Sequence, residues 1–355
     1  MKIKLAILDL DKNYLSRMAA AFASKYSQNV ELYSFTEEKI AIDSLSNDKI
    51  DVFLASSDFE IDITAVPKHC GFAYFVEALD VEAFRGQGTI CKFQKAEMIY
   101  KEVLSLFSEK VAYTTGIKFD NDSHATILTF VSASGGVGSS TVAAACALYF
   151  SKIGKKVLYI NLEQCGIADT FFSGEGMFDF SDVIFSIKSK KTNLSLKLES
   201  HVKQDPSGVY FYSSTKTALD IMELNIEDIE KLISELNITG TYDYIIFDAD
   251  FSLNKANIEL FKRSKSIVFV SDGSEISNMK FSRAFKAFEI MQEQADISII
   301  PKIVMIYNKF SNKTSKIIEG ENFRVIGGAP KFEHASSEQI IQQLLSMNIF
   351  VNLMN

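Results

Sequence analysis

Residues 133–141 read Ala-Ser-Gly-Gly-Val-Gly-Ser-Ser-Thr, between an apolar run at residues 127–131 and a second apolar run at residues 142–150. A strand, a glycine-rich loop and a helix in this order form the context in which a phosphate-binding loop is found. Glycines let successive backbone N–H groups turn inward, and the N-terminus of the new helix adds its positive dipole end. An anion can therefore bind there without a charged side chain, and this loop lacks the lysines that such loops normally carry.

The composition describes a chain of 355 residues with a formal net charge of −8, of which 47% are hydrophobic. This length suits two domains, each with enough apolar residues to bury a core. Because the neutralisation of phosphates requires clustered Lys and Arg, the acidic balance disfavours broad nucleic-acid binding, and we expect no nucleic-acid partner. One local basic cluster consists of Lys188, Lys190, Lys191 and Lys197. We interpret this cluster as a solvated helix end or loop.

The four cysteines and four histidines are scattered and include no Cys-x-x-Cys pair, so the sequence does not support a zinc or iron–sulfur site. Cys91 and Cys146 lie in apolar segments and read as small core residues. The low cysteine content, without a signal-peptide pattern, favours a reducing cytoplasm. The longest apolar runs, of about nine residues, are too short to span a bilayer.

Residues 1–112 alternate between strand and helix patterns and predict a first domain. Apolar runs predict strands at residues 3–8, 30–35, 52–55, 72–76 and 89–93. Helical spacing of apolar residues predicts helices after the first two strands and at residues 96–107. This order favours a small, doubly wound, parallel α/β sheet, and the polar, turn-rich residues 113–125 form the predicted linker.

Residues 126–355 continue as a larger strand–helix series and predict a second doubly wound, parallel α/β domain. The predicted strands are residues 127–131, 156–160, 209–212, 244–247, 266–270 and 303–307. The predicted helices include residues 142–152 and 225–236, the second of which is capped by Asn225. Residues 340–354 are rich in apolar residues and carry no Lys or Arg, so we expect a docked final helix rather than a membrane-surface helix.

The glycine loop resembles the deviant Walker A loop of the MinD/ParA class of ATPases, which reads Gly-Lys-Gly-Gly-x-Gly-Lys-Ser/Thr-Thr. Ala133, Ser134 and Ser139 depart from that pattern, and the two serines stand where the class has its lysines. The resemblance implies that ATP binds here with Mg²⁺. Lost cationic charge costs catalysis more than binding, because negative charge accumulates in the transition state. We therefore expect ATP binding with slow or absent hydrolysis, and the alternative is a degenerate loop that binds nothing.

An acidic residue closes the apolar run at residues 244–247, as in a Walker B strand. The resemblance implies that Asp248 and the hydroxyl of Ser140 hold Mg²⁺. Asp250 stands in the segment that senses the γ-phosphate in this class, where it either orients water or caps the following turn. Glu163 occupies the position of the aspartate that positions the attacking water, so Glu163 and Asp250 are the catalytic candidates.

Residues near the end of the second domain resemble the base-binding part of this class. Asn308 resembles the strand-end asparagine that reads adenine, with a plain turn residue as the alternative, and residues 327–330 resemble the loop that packs against the base. Asp169 follows Glu163 along the same segment, as a switch residue or as an exposed loop acid. The complete set of predicted nucleotide ligands is Ser134, Gly135, Gly136, Val137, Gly138, Ser139, Ser140, Thr141, Asn308 and Pro330.

The first domain resembles a response-regulator receiver domain. Asp9 and Asp11 resemble its acidic pair, and Lys92 stands at the end of the fifth predicted strand. Ser56 occupies the position of the acceptor aspartate, and a hydroxyl cannot form the acyl phosphate of such a site. We therefore expect a docking or dimerising module in which Asp9 and Asp11 are leftover surface acids.

A degenerate receiver domain followed by a MinD/ParA-like ATPase domain is the arrangement of the TadZ/CpaE proteins of Tad (Flp-type) pilus assembly. This resemblance implies a homodimer with ATP at its interface and pilus or secretion assembly proteins as partners. It also implies a cytoplasmic location at a cell pole, with only indirect or weak membrane contact. The alternatives are an active MinD/ParA-like ATPase that positions cargo or division machinery, and a receiver-containing regulatory protein without nucleotide turnover. The missing lysines disfavour the first, and the acidic charge disfavours a DNA-binding regulator.

Overall fold

The structure is a computed structural model that describes residues 2–78, 80–110, 125–189, 193–295, 298–319 and 322–354. The chain divides into two compact units. The first unit comprises Met1–Phe119 with Ser189–His201, and the second comprises Asp120–Lys188 with Val202–Asn355. The predicted linker at residues 113–125 lies outside the described residues except for Ala125. None of the helices in the described ranges combines the length and the apolar character that a membrane crossing requires.

Strands and helices alternate along most of the described chain. The strands are β1 (Ile3–Leu8), β2 (Val30–Phe35), β3 (Val52–Ser56), β4 (Gly71–Val76), β5 (Ala83–Phe84), β6 (Gln87–Cys91), β7 (Thr126–Val131), β8 (Val157–Asn161), β9 (Lys203–Gln204), β10 (Tyr210–Phe211), β11 (Tyr244–Asp248), β12 (Ser266–Ser271), β13 (Ile303–Phe310) and β14 (Arg324–Pro330). The α-helices are α1 (Lys12–Lys25), α2 (Glu38–Asn47), α3 (Ala96–Lys110), α4 (Ser139–Lys152), α5 (Phe180–Lys188), α6 (Leu194–His201), α7 (Ala218–Met222), α8 (Ile226–Thr239), α9 (Lys255–Arg263), α10 (Glu275–Ala295) and α11 (Ser337–Ser346).

The described residues of the first unit form a six-stranded sheet in the order β2-β1-β3-β4-β6-β5. Neighbouring strands are parallel except β5 and β6, which form an antiparallel edge. Side chains alternate between the two faces of β1, so Leu5 and Ile7 join the core under α1 and α3, whereas Ala6 and Leu8 face α2. The predicted parallel α/β class is confirmed. The two-residue strand β5 was not predicted, because it is too short to show a periodicity.

Helix α6 comes from the middle of the chain and belongs to the first unit. Leu196 is buried in the core that also contains residues of α1 and α3. The ammonium group of Lys197 lies 3.0 Å from Glu109 Oε1 and 3.2 Å from Ser105 Oγ, and Lys197 is buried. The prediction of a solvated basic cluster is therefore wrong for Lys197, whereas its members at residues 190–191 lie outside the described residues.

The described residues of the second unit form an eight-stranded sheet in the order β14-β13-β12-β7-β11-β8-β10-β9. Neighbouring strands are parallel except β9 and β10. The parallel strands β7, β11 and β8 lie side by side near the centre, so their carboxyl ends share one edge of the sheet. Ligands of open parallel α/β sheets bind at that edge. The predicted α/β class is confirmed here too, with a short antiparallel edge strand added.

Helix α4 packs on this sheet and carries the glycine loop at its N-terminus. Residues 143–147 of α4 are four alanines and one cysteine, and all five are fully buried. Small side chains let the helix backbone lie close to the strands, which fixes where the loop meets the strand ends. Cys146 and Cys91 are both buried, as predicted for small core residues.

The last part of the chain packs on the same core. Strand β14 pairs in parallel with β13, so the prediction of a loop at residues 327–330 is wrong. Glycine at 328 allows this pairing, because a Cβ there would lie 3.2 Å from the carbonyl oxygen of Tyr307. Helix α11 follows, and Leu344 and Phe350 are fully buried in the core of the second unit. The predicted docked final helix is therefore confirmed.

Candidate nucleotide site

The glycine loop joins the end of β7 to the start of α4. Gly136 and Gly138 have φ angles of 78° and 86°, a left-handed conformation that favours glycine. A Cβ on Gly138 would also lie 2.7 Å from Asn308 Nδ2, so a larger residue would clash. Gly138 occupies the N-cap of α4 without a side-chain hydrogen bond, which leaves the first backbone N–H groups of the helix for an anion.

The two serines that stand in the lysine positions have different environments. The backbone N–H of Ser134 donates to Ser132 Oγ at 3.1 Å, and that hydroxyl donates to the Ser134 carbonyl oxygen at 2.7 Å. This pair of bonds folds the start of the loop back on itself. Ser139 is buried, and its Oγ has no hydrogen-bond partner among the described residues. A buried hydroxyl without a partner is unfavourable, so Ser139 fits a site that a ligand oxygen completes.

Asp248 ends β11 and is fully buried. Its Oδ2 accepts hydrogen bonds from the hydroxyl of Tyr159 at 2.7 Å and from Asn161 Nδ2 at 3.2 Å. Its Oδ1 is buried without a hydrogen-bond partner in the described part of the chain. Burial and the neighbouring Glu163 carboxylate raise the pKa of Asp248 to about 8. A buried carboxyl group with one unsatisfied oxygen fits a bound cation, which would hold it in the charged form.

Ser140 and Glu163 are brought together by α4 and the segment that follows β8. The Ser140 hydroxyl donates to Glu163 Oε2 at 2.9 Å. Asn161 Oδ1 accepts from the backbone N–H of Glu163 at 2.9 Å, and a Cβ on Gly166 would lie 2.0 Å from the same oxygen. Asn161 therefore shapes this segment and also contacts Asp248. The predicted metal ligands, Ser140 and Asp248, are thus grouped with the predicted catalytic residue Glu163.

The other two acidic candidates are exposed and bonded elsewhere. Asp250 Oδ2 accepts from the backbone N–H of Gln164 at 2.8 Å, which links the ends of β11 and β8. Asn254 is the N-cap of α9, the helix that follows. Asp169 accepts from the backbone N–H and the hydroxyl of Ser214, at 2.7 and 2.6 Å.

The end of β13 contacts the glycine loop through two consecutive residues. Asn308 is buried, and its Nδ2 donates to the carbonyl oxygen of Val137 at 2.8 Å. Lys309 Nζ donates to the carbonyl oxygen of Gly136 at 2.7 Å. Beside this contact lies a cavity of ≈ 340 Å³, lined by Thr141, Asn308, Lys309, Pro330, Lys331, Phe332, Glu333, His334, Ser337 and Ile340. Three of the predicted nucleotide ligands, Thr141, Asn308 and Pro330, therefore share one cavity.

Sequence reasoning did not assign Lys309 or Tyr159 to this site. For Lys309 the sequence does offer a local signal, because this lysine directly follows the strand-end asparagine that was assigned to the site. Tyr159 carries no such signal, since it reads as one of the apolar residues of β8. Their partners in the site lie 173 and 89 positions away along the chain, which no local pattern reveals.

The acidic pair of the first unit includes one buried residue. Only 1% of Asp9 is exposed, and its Oδ2 lies 2.7 Å from Lys92 Nζ. The hydroxyl of Tyr14 donates to the backbone carbonyl oxygen of Lys92 at 3.1 Å, and the ammonium group lies 4.8 Å from the centre of the Tyr14 ring. The prediction of a leftover surface acid is therefore wrong for Asp9, because Lys92 neutralises its charge inside the domain.

The remaining polar groups of this cluster are also bonded within the first unit. Asp11 is exposed and caps α1 by accepting from the backbone N–H groups of Asn13 and Tyr14. Ser56, which was predicted to occupy the position of an acceptor aspartate, donates to Asp58 Oδ2 at 2.8 Å. The hydroxyl at the predicted acceptor position therefore already has a hydrogen-bond partner.

Two family models match this chain. A TadZ-like receiver domain matches residues 1–108, and a AAA domain matches residues 125–300. An uncharacterized ATP-binding protein of Methanocaldococcus jannaschii is 31% identical over 136 residues, which cover 36% of this chain and 46% of that protein. The chain therefore spans less than half the length of this curated relative.

Solved structures with a similar fold match the larger part of the chain. A ParA family ATPase from Chlorobium tepidum has a TM-score of 0.51 and 23% identity, and covers 66% of this chain and 99% of its own. A chain of the MinC:MinD cell division protein complex of Aquifex aeolicus has a TM-score of 0.51 and 19% identity, and covers 65% of this chain and 96% of its own. Similarity at these identities shows the fold.

Proposed function

Because this chain joins a TadZ-like receiver domain to a AAA domain with the ParA and MinD fold, we propose that it is an ATP-binding, dimeric scaffold for the assembly of Tad (Flp-type) pili, with slow or absent hydrolysis. The observation that supports ATP binding best is a grouping of polar elements at the carboxyl edge of the second sheet. There the glycine loop meets Ser140 and the buried Asp248, whose Oδ1 has no partner among the described residues.

The residues present fit a magnesium nucleotide. The backbone N–H groups of the loop and of the first turn of α4 would hold the phosphates. Ser140 and Asp248 would hold Mg²⁺, which supplies positive charge to the phosphate oxygens when it is bound. Asn308 and Pro330 would face the base. Since Asn308 Nδ2 donates to Val137, we assign Asn308 Oδ1 to the exocyclic amino group of adenine.

The hydrogen bonds of the two catalytic candidates, Glu163 and Asp250, support slow turnover of ATP. Glu163 accepts a hydrogen bond from Ser140 at 2.9 Å, so the carboxylate has to leave this partner before it can position water. Asp250 is engaged by the backbone N–H of Gln164. The loop itself offers no lysine to balance the charge that develops on the transferred phosphoryl group.

The proposed dimer, partners and location follow from the resemblance to TadZ/CpaE proteins. The MinD of Aquifex aeolicus was solved in complex with MinC, so a domain of this fold can carry a protein-binding surface. We propose that ATP orders the segments around Glu163 and Asp250 and stabilises a homodimer, which then binds pilus or secretion assembly proteins at a cell pole. Contact with the membrane would be indirect, through these partners.

Extraction and mass measurement of bound nucleotide from the purified full chain test the proposal most directly. We expect adenine nucleotide to be present, or to be taken up when Mg²⁺ is added, and sedimentation to show a larger dimer fraction with ATP. Ser140→Ala and Asp248→Ala each remove a predicted Mg²⁺ ligand. Each should weaken Mg²⁺–ATP binding by about tenfold or more and lower the dimer fraction.

A matched control is Ser151→Ala at the other end of α4, whose hydroxyl donates to the carbonyl oxygen of Ser207. This variant should bind ATP like the unmodified protein. A protein that neither carries nor takes up adenine nucleotide with Mg²⁺ would overturn the proposal. If the protein binds ATP but stays monomeric, the proposal of a homodimer is wrong. Sustained ATP turnover would favour the alternative of an active ATPase.

A further inference from the structure

We propose that Lys309 supplies the positive charge to the nucleotide phosphates that the glycine loop lacks. This inference rests on the proposed ATP binding. It assigns the role of a loop lysine to a residue from the end of β13, which reaches the loop from another part of the sheet.

The side chain of Lys309 lies against the loop. Its Nζ donates to the carbonyl oxygen of Gly136 at 2.7 Å, and its Cε lies 3.6 Å from the position that a Cβ on Gly138 would occupy. An ammonium group has three N–H donors, and Gly136 takes one of them. The same side chain lines the cavity that also includes Thr141, a predicted phosphate ligand. Lys309 is therefore anchored at the loop while it can still donate to an anion.

The backbone at this point is shaped to bring the lysine to the loop. Lys309 has a φ angle of 56°, a left-handed conformation that costs energy for a residue with a Cβ. The pairing of β13 with β14 is irregular between Tyr307 and Phe310, which takes Lys309 out of the regular ladder. The preceding Asn308 donates to the carbonyl oxygen of Val137, so two consecutive residues hold two consecutive loop carbonyls.

Lys309 and Lys331 are the two lysines among the described residues that line this cavity, and their ionic contacts differ. Residues 132–141 contain no Lys or Arg. Lys331 lines the same cavity, but its ammonium group lies 3.0 Å from Glu333 Oε1. Lys309, in contrast, forms no ion pair with any of the described residues. A charged hydrogen bond to a phosphate at this position would be stronger than a neutral one, because the donor carries a full charge.

The test compares Mg²⁺–ATP affinities of three variants of the full chain, measured by displacement of a fluorescent nucleotide. Lys309→Met should weaken ATP binding by about ten- to a hundredfold, and its affinity should depend less on salt concentration. Lys309→Arg keeps the charge and should stay within a few-fold of the unmodified protein. Lys313→Met removes an exposed lysine four residues further on and should leave the affinity unchanged.

Two further measurements separate a phosphate contact from a purely structural role. Adenosine carries no phosphate, so Lys309→Met should not weaken its binding. Ser139→Lys, introduced into the Lys309→Met protein, places a lysine inside the loop and should restore ATP affinity. If the unmodified protein binds ATP and Lys309→Met binds it equally well, or loses ATP and adenosine affinity alike, the inference is wrong. If the unmodified protein binds no ATP, the proposed function itself fails.

Discussion

Asp248 is a buried carboxyl group whose two oxygens have different surroundings. Tyr159 and Asn161 donate to Oδ2, whereas Oδ1 has no partner among the described residues. In the metal-free protein, burial and the Glu163 carboxylate raise the pKa of Asp248 from 3.8 to about 8. The group is therefore largely protonated in the folded state at neutral pH, and a bound cation would reverse this preference.

This raised pKa predicts how the stability of the metal-free protein depends on pH. The unfolded chain loses the Asp248 proton near pH 3.8, whereas the folded protein keeps it until about pH 8. The contribution of Asp248 to the free energy of unfolding is therefore fully present below pH 3.8. It is lost as the pH rises to about 8, by up to about 1.4 kcal/mol per pH unit. Asp248→Asn lacks this titration, so its free energy of unfolding should rise relative to the unmodified protein over that interval. Denaturant titrations with a chelator at pH 5 and pH 8 measure the difference.

The same two proteins provide a control when Mg²⁺ and ATP are added. Ligand that binds only the folded state stabilises it, so the unmodified protein should gain stability, whereas Asp248→Asn should gain much less. Equal pH dependence of the two metal-free proteins would contradict the assigned protonation of Asp248.

Among the elements, helix α11 shows how an apolar segment is placed by packing. Ser336 caps the helix, and Ser336 and Gln339 form a reciprocal capping box. Ile341 and Leu344, three positions apart, are the buried residues of this helix, and both belong to the core under α4. The apolar surface is thus covered within the second unit.

Leu344→Ala should lower the free energy of unfolding by about 2–5 kcal/mol, because it removes a fully buried side chain and leaves a cavity. Gln342→Ala, at an exposed position of the same helix, should change it by less than about 0.5 kcal/mol. Urea denaturation of both variants measures the contrast. Similar small effects for the two substitutions would mean that the helix does not dock as the structure shows.

Across the whole molecule, the two units use their acidic clusters differently. In the first unit, Lys92 neutralises the buried Asp9, and the hydroxyl of Ser56, at the predicted acceptor position, donates to Asp58. In the second unit, Asp248 keeps an oxygen without a partner among the described residues. We therefore place ligand chemistry in the second unit and expect the first to act by binding other proteins.

Incubation of the full chain with acetyl phosphate and Mg²⁺ should leave no covalent phosphate, because a serine hydroxyl does not form the acyl phosphate of a receiver site. Intact-mass measurement before and after incubation checks this. A receiver domain with an intact acceptor aspartate serves as the positive control for the reagent. A phosphate adduct on the first unit, located by peptide mapping, would show that another side chain accepts the group and would contradict the docking role.

Much of the fold could be predicted because its signals are local. Apolar runs ended by turn residues predicted most strands of both sheets, and Asn225 was predicted as the cap that the structure shows on α8. The errors have physical causes. Strands β5 and β9 have two residues each, too few for a periodicity, and the glycines and proline of β14 are typical of a loop, although pairing with β13 holds them extended.

The order of apolar, glycine and capping residues along the chain determined the two α/β domains and the glycine loop, because each signal acts over a few neighbouring residues. Only the tertiary structure decided which polar groups meet. It buried Asp9 beside Lys92, left Asp248 Oδ1 without a partner in the described residues, and brought Lys309 to Gly136 across 173 positions. Such contacts depend on the order of the strands in a sheet and on which charged groups are desolvated by burial. Neither property is contained in a short stretch of sequence.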